Sequence, residues 1–194
     1  VSTRSPQSAA FFEQKYRASA DPWNFATAHY EQRRYAATLA ALPRPTYARA
    51  FEPGCSVGVL TAALARRCTR VEACDLAATA VAHARVRCRE LPNVTISERD
   101  VCAAPLENQY DLIVFSEIGY YFSTPELRAL VRRLTGALQP GGDFLAVHWL
   151  GQSADHVLHG DEVHRVIAAT LPGDLKHGMR HAGFRIDVWR REAE

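Results

Sequence analysis

The chain has 194 residues, a hydrophobic fraction of 47% and a formal net charge of +2. That length suits one α/β domain better than two, and the near-balanced charge gives no general pull toward nucleic acid or a membrane surface. No apolar run approaches the roughly 20 residues that span a bilayer, and the opening stretch VSTRSPQSAAFFEQKY has no signal-peptide core.

In chain order, residues 9 to 19 are amphipathic and read as a helix. Asp21-Pro22 in SADPWNF breaks it. AHYEQRRYAATLAALP reads as a second helix, stopped by Pro43 and Pro45. YARAFE is a short strand ending at Glu52, and SVGVLTAALARRC is helical with Val57, Leu60 and Leu64 on one face. RVEACD is a strand ending at Asp75, AATAVAHARVRCREL a helix, and VTISERD an alternating strand ending at Asp100. YDLIVFSEI is the near-continuous apolar run of a buried parallel strand. TPELRALVRRLTGAL is a helix with Pro125 in its first turn; QPGG turns the chain into a further buried strand, DFLAVHWL. DEVHRVIAATL is helical. DLKHGMRH and FRIDVWRR flank a two-residue AG turn and read as an antiparallel hairpin on the sheet edge.

Five strands separated by four helices imply right-handed crossovers and an α/β fold, a Rossmann-like sheet mostly parallel with helices on both faces. Residues 1–45 are expected to form a helical lid on a core of residues 46–194, the whole being a single domain. The five cysteines, Cys55, Cys68, Cys74, Cys88 and Cys102, include no C-x-x-C pair. No metal site is expected from them, and their odd number and irregular spacing suit reduced thiols in a cytoplasmic protein.

In such a sheet, ligands bind beyond the C-terminal strand ends. Those ends carry Glu52, Asp75, Asp100, Ser116-Glu117 and His148. The loop EPGCSVG, with Gly54 and Gly58, lets the backbone turn sharply and approach a ligand, and Cys55 sits within it. It lacks the G-x-G-x-x-G spacing of a pyrophosphate loop, and Glu52 ahead of it is expected to repel phosphates. S-adenosylmethionine (SAM) fits better: it has no phosphate, Asp75 is placed to accept both ribose hydroxyls, and Asp100 to accept from the adenine amino group.

FEPGCSVG, VEACDLA, ERDV, YDLIVFSEIGYYF and LQPGG resemble the successive motifs of class I SAM-dependent methyltransferases. DPW, YEQRRY, EPGCSVGVLT, SEIGYYF and VHW narrow the resemblance to the nodulation protein S (NodS) family of N-methyltransferases and its bacterial relatives. The resemblance covers about residues 20 to 150 and departs from the common E-x-G-x-G-x-G loop at Ser56. It implies that Trp23 covers the cofactor, Arg34 pairs with its carboxylate and Gly54 packs on its methionine part. It further implies that Leu76 lies against the adenine, Val101 reads the adenine edge, and the Ser116 backbone sits near the cofactor ammonium.

The expected activity is SAM-dependent methyl transfer to a small polar acceptor, the nitrogen or oxygen of a sugar or amino sugar, with S-adenosylhomocysteine as product. Glu117 is a candidate to orient the acceptor or take its proton; capping a loop amide is its alternative. His148 is a candidate base, or else a hydrogen-bonded structural histidine beside Trp149. Tyr30, Tyr120 and Tyr121 are candidates to line the acceptor pocket. His156, His159 and His164, with neighbouring acids, read as a solvated polar loop rather than a metal set. A nucleotide-dependent oxidoreductase and a non-catalytic SAM-binding module are the alternatives.

Overall fold

The computed structural model describes residues 8–103, 106 and 109–192. Two helices open the described chain, α1 (Ala9–Ala18) and α2 (His29–Ala40). There follow β1 (Tyr47–Pro53), α3 (Val59–Leu64), β2 (Cys68–Asp75), α4 (Ala78–Arg87), β3 (Val94–Glu98) and β4 (Tyr110–Ser116). α5 (Thr124–Ala137), β5 (Leu138–Trp149), α6 (Gly160–Ala168), β6 (Gly173–Arg180) and β7 (Phe184–Arg191) complete it. The strands form a 7-stranded sheet in the order β3-β2-β1-β4-β5-β7-β6. β1 to β5 run parallel, whereas β7 is antiparallel to both β5 and β6. Strand order reverses between β1 and β4, the switch point where a ligand crevice opens.

Both faces of the sheet are covered, so its central strands are apolar on both sides. Along β4, Ile113 and Phe115 pack with α5 and α6, while Leu112 and Val114 join the opposite cluster with Leu60 and Leu64 of α3. β5 alternates in the same way, Phe144 and Ala146 on the first face, Leu145 and Val147 on the second. This period of two decides which way each strand-end side chain turns.

Two expectations change. Among the described residues no helix joins β3 to β4, so three helices, not four, separate the five parallel strands. QPGG also lies inside β5 rather than ahead of it: Leu138 already pairs with Tyr110, and the register slips between Tyr110 and Leu112. The hairpin closes on the expected Ala182-Gly183 turn, where the His181 amide donates to the Phe184 carbonyl at 2.8 Å. No helix among the described residues is long and apolar enough to cross a membrane.

Away from the crevice the sheet is tied by one buried acid. Asp143, fully buried in β5, accepts from the Tyr47 hydroxyl at 2.8 Å and from Arg190 Nε of β7 at 2.7 Å. It thus joins the start of β1 to the antiparallel edge. Asp143→Ala is expected to lower stability by about 2–3 kcal/mol, the loss of charged hydrogen bonds to a buried centre. Urea denaturation, read as a midpoint shift at constant slope, checks it.

Candidate active site

A cavity of about 850 Å³ opens at the C-terminal ends of the parallel strands. It is ample for a nucleoside-sized ligand together with a small acceptor. Trp23, Tyr30, Gly54, Asp75, Leu76, Asp100, Val101, Ser116, Glu117, Tyr120 and Tyr121, all singled out from the sequence, line it. Arg34, Glu52, Cys55, Gly58 and His148 do not.

The loop after β1 is held by β2. The Gly54 and Cys55 amides both donate to the Cys74 carbonyl, at 2.7 and 2.9 Å. Gly54 has φ +73°, and a Cβ there would run into Ile118. At Gly58, φ is +77° and a Cβ would press on Ala84 of α4, so that glycine serves helix packing rather than the cavity. Ser56 between them has φ 51°, a conformation costly for a non-glycine residue. Two bonds hold it: its amide donates to Asp75 Oδ2 at 2.8 Å, and its hydroxyl accepts from Tyr16 at 2.6 Å. Asp75 Oδ1 also accepts from the Ala77 amide at 3.0 Å. Burial raises the Asp75 pKa, and the backbone amides around the carboxylate partly counter it.

Glu52 turns the other way. It is buried beneath the loop and accepts from the Thr61 hydroxyl of α3 at 2.6 Å. Burial pushes its carboxyl up to about 8, so it is largely neutral at pH 7. The expected repulsion of phosphates by Glu52 therefore loses its electrostatic basis. Cys55 is buried, and burial raises its thiol pKa well above the ordinary value, which makes it a packing residue.

His148 is also turned away, onto the face of β5 covered by α5 and α6. It is fully buried, and its Nε2 accepts from the Gly119 amide at 3.0 Å. Its Nδ1 meets His164 Nε2 at 3.2 Å. Both ring nitrogens are committed, so no lone pair is left for a substrate proton, and the expected base role gives way to the structural alternative.

Glu117 faces the cavity from a φ of 61°. Its Oε1 accepts from the Trp149 amide at 2.7 Å and its Oε2 from the Tyr120 hydroxyl at 2.9 Å. Arg34 Nη1 lies 3.0 Å from Oε1, yet at an angle that completes no hydrogen bond. Burial raises the Glu117 pKa, against the pull of Arg34 and of its two hydrogen-bond donors. Arg34 is itself 1% exposed and is paired with Glu31 of its own helix. Burial alone would favour loss of its charge, but Glu117 and Glu31 outweigh that and hold it cationic. It lines a small side cleft shared with Gly54, Ser56, Ser116 and Glu117.

Some cavity residues were not singled out in the sequence. Phe12 and Tyr16 of α1 lie one turn apart and read there only as an apolar stripe. In the structure both line the cavity, Phe12 edge-on to Tyr121 at 5.0 Å and Tyr16 edge-on to Trp23 at 5.5 Å. The middle of α1 is tied by Glu13 to Thr79 and by Lys15 to Asp155, the latter at 2.9 Å. The three clustered histidines diverge. His156 stacks on Tyr120 at 3.7 Å in the cavity wall, His159 caps α6, and His164 is in the core. Among the described residues, no group of His, Cys, Asp and Glu could hold a metal ion.

Residues 6–167 match the family model described as Nodulation protein S (NodS). The chain belongs to the NodS family. Nodulation protein S of Bradyrhizobium diazoefficiens is 34% identical over 122 residues, 62% of this chain and 58% of that protein. The chain thus spans little more than half the length of this relative. A solved Pseudomonas syringae chain designated a candidate methyltransferase is 37% identical, with a TM-score of 0.74 over 84% of this chain and 100% of that one. The N-methyltransferase NodS of Bradyrhizobium japonicum WM9, solved with S-adenosyl-L-homocysteine, has a TM-score of 0.83 at 20% identity, over 94% of this chain and 98% of that one. At that identity the likeness shows the shared fold.

The Glu52 carboxyl generates a pH test. Its pKa is raised by burial from 4.5 to about 8, so its contribution to stability is complete below about pH 4.5 and is lost as pH rises toward 8. By pH 7 the loss is on the order of 3 kcal/mol, at about 1.4 kcal/mol per pH unit. Glu52→Gln, which cannot ionise, is expected to gain on the wild type as pH rises from 5 to 7.5. Denaturant unfolding at the two pH values measures this.

Proposed function

We propose that the chain transfers a methyl group from SAM to a small polar acceptor, the nitrogen or oxygen of a sugar or amino sugar. The observation that carries this reading is that Asp75, at the end of β2, and Asp100, two residues beyond the end of β3 rather than in the strand as expected, line one cavity with the glycine loop. The donor set fits the cofactor. Asp75 with Leu76 would hold the adenosine sugar and base, and Asp100 with Val101 would read the adenine edge. The Gly54 loop and Ser116 would take the methionine part. A buried Arg34 nitrogen with incomplete hydrogen bonding suits a carboxylate.

Bound SAM supplies a methyl group on a cationic sulfur, already an activated electrophile. The protein's task is then positioning, which in well-aligned systems is worth about 7–11 kcal/mol. Tyr30, Glu31, Tyr120, Tyr121 and Trp149 line the same cavity and would shape its acceptor side. Glu117, fixed by Tyr120 and the Trp149 amide, presents a carboxylate edge to that space and would orient an acceptor amine or hydroxyl. Trp23, with Phe12 and Tyr16, would form the lid that excludes water.

Calorimetry with S-adenosylhomocysteine is the first test, and absence of binding at millimolar ligand would reject the reading. Asp75→Ala is expected to weaken binding by about 1–3 kcal/mol through loss of charge-assisted bonds; unchanged affinity would mean that the ribose site is misplaced. Transfer of labelled methyl to a panel of amino sugars and neutral sugars then decides between nitrogen and oxygen. Binding without transfer to any member would favour the non-catalytic module.

A further inference from the structure

The wall that carries Tyr120 and Tyr121 is a single 3₁₀ turn, Gly119–Tyr121, separated from Glu117 by Ile118 alone. It is held by more polar machinery than packing needs. The Gly119 amide is buried, and its acceptor is the Nε2 of His148. A backbone amide can only donate, so this Nε2 carries a lone pair and, in the neutral ring, the proton of His148 sits on Nδ1. That Nδ1–H points to His164 Nε2 at 3.2 Å, which must therefore accept. His164 then carries its own proton on Nδ1 and donates it to Asp187 Oδ2 at 2.8 Å. Arg185 pairs with the same Asp187 oxygen at 2.8 Å and reaches Asp161 of α6 at 3.5 Å. One backbone amide thus sets the direction of every bond from the cavity wall to the antiparallel edge.

We propose that His148, His164 and Asp187 are positioning residues, a one-way hydrogen-bond relay that fixes the Gly119–Tyr121 turn and through it Tyr120 and Glu117. The inference rests on the methyl-transfer reading only in naming that wall as the acceptor side. The geometry leaves the turn no substitute. A Cβ on Gly119 would strike both Val163 and His148, so the amide is pressed against its acceptor. Tyr120 is gripped between His148, edge-on at 5.5 Å, and His156, stacked at 3.7 Å. Its carbonyl accepts from the Val157 and Leu158 amides, and its hydroxyl bonds Glu117.

The relay works only while both imidazoles are neutral. Protonation of His148 on Nε2 would set two donors against each other at Gly119, and protonation of His164 on Nε2 would do the same at His148. Burial lowers the pKa of both rings, and the groups around them act in the same frame. His164, Arg34 and His156 further disfavour a charge on His148. Asp187 and Asp161 favour one on His164, and Arg185 opposes it. Burial tends to raise Asp187, but its bonds to His164 and Arg185 prevail and keep it ionised.

The test needs neither cofactor nor acceptor. Long-range ¹H–¹⁵N spectra of the wild type near pH 7.5 should show His148 and His164 neutral, each protonated on Nδ1. An Nε2–H tautomer or an imidazolium at either position overturns the relay. His164→Gln can accept from His148 and donate to Asp187, whereas His164→Leu keeps the bulk and loses both bonds. Hydrogen exchange at Gly119 should stay close to wild type in the Gln variant and rise at least about tenfold in the Leu variant, the size of one lost buried bond. Gly54, whose amide bonds a backbone carbonyl, is the internal control. Equal protection in the two variants, or better protection with Leu, would mean packing alone. If His164→Leu does not fold, the wild-type spectra alone decide, an Nε2–H tautomer or an imidazolium at either ring overturning the relay. Failure of S-adenosylhomocysteine to bind would reject the methyl-transfer reading and leave these outcomes standing.

Discussion

Side chains on a strand alternate between two faces, and in a parallel sheet all the strand ends meet at one rim. The site follows from these two constraints together. At the end of β5, His148 falls on the face of Phe144 and Ala146 and enters the core, whereas the next residue, Trp149, lines the cavity. Glu52 at the end of β1 is likewise carried down onto Thr61. A polar residue at the rim becomes a cavity residue or a buried strut according to its parity, not its chemical type.

Those struts work on the cavity indirectly. Asp75 holds the loop residue Ser56 in a left-handed conformation, and Tyr16 closes on the same side chain from α1. Glu117, also left-handed, is locked by Tyr120 and Trp149 with Arg34 beside it. Backbone strain of this kind survives only where the surroundings over-determine it. Here it marks both flanks of the cavity.

Much of this was legible in the sequence. Apolar runs and turn residues located the strands, because a fully buried parallel sheet leaves little room for polar residues, and eleven of the residues singled out do line the cavity. What could not be read is orientation across long range. Nothing local to VHW tells which of His148 and Trp149 meets Gly119, since the answer depends on α6 packing from beyond residue 159. Phe12 and Tyr16 were hidden for another reason: an apolar helical stripe looks the same whether it covers a core or a cavity. The β3–β4 connection shows the converse error, regular alternation assumed where the described residues form no helix.

The way α1 is fastened bears on kinetics. Two of its polar ties, Glu13 to Thr79 and Lys15 to Asp155, are partly exposed, and such contacts are worth at most about 1 kcal/mol each. The aromatic contacts of Phe12 and Tyr16, with the buried Tyr16–Ser56 hydrogen bond, are the stronger hold. The residence time of anything beneath α1 is therefore governed by how often two rings leave their neighbours, a clock largely insensitive to salt.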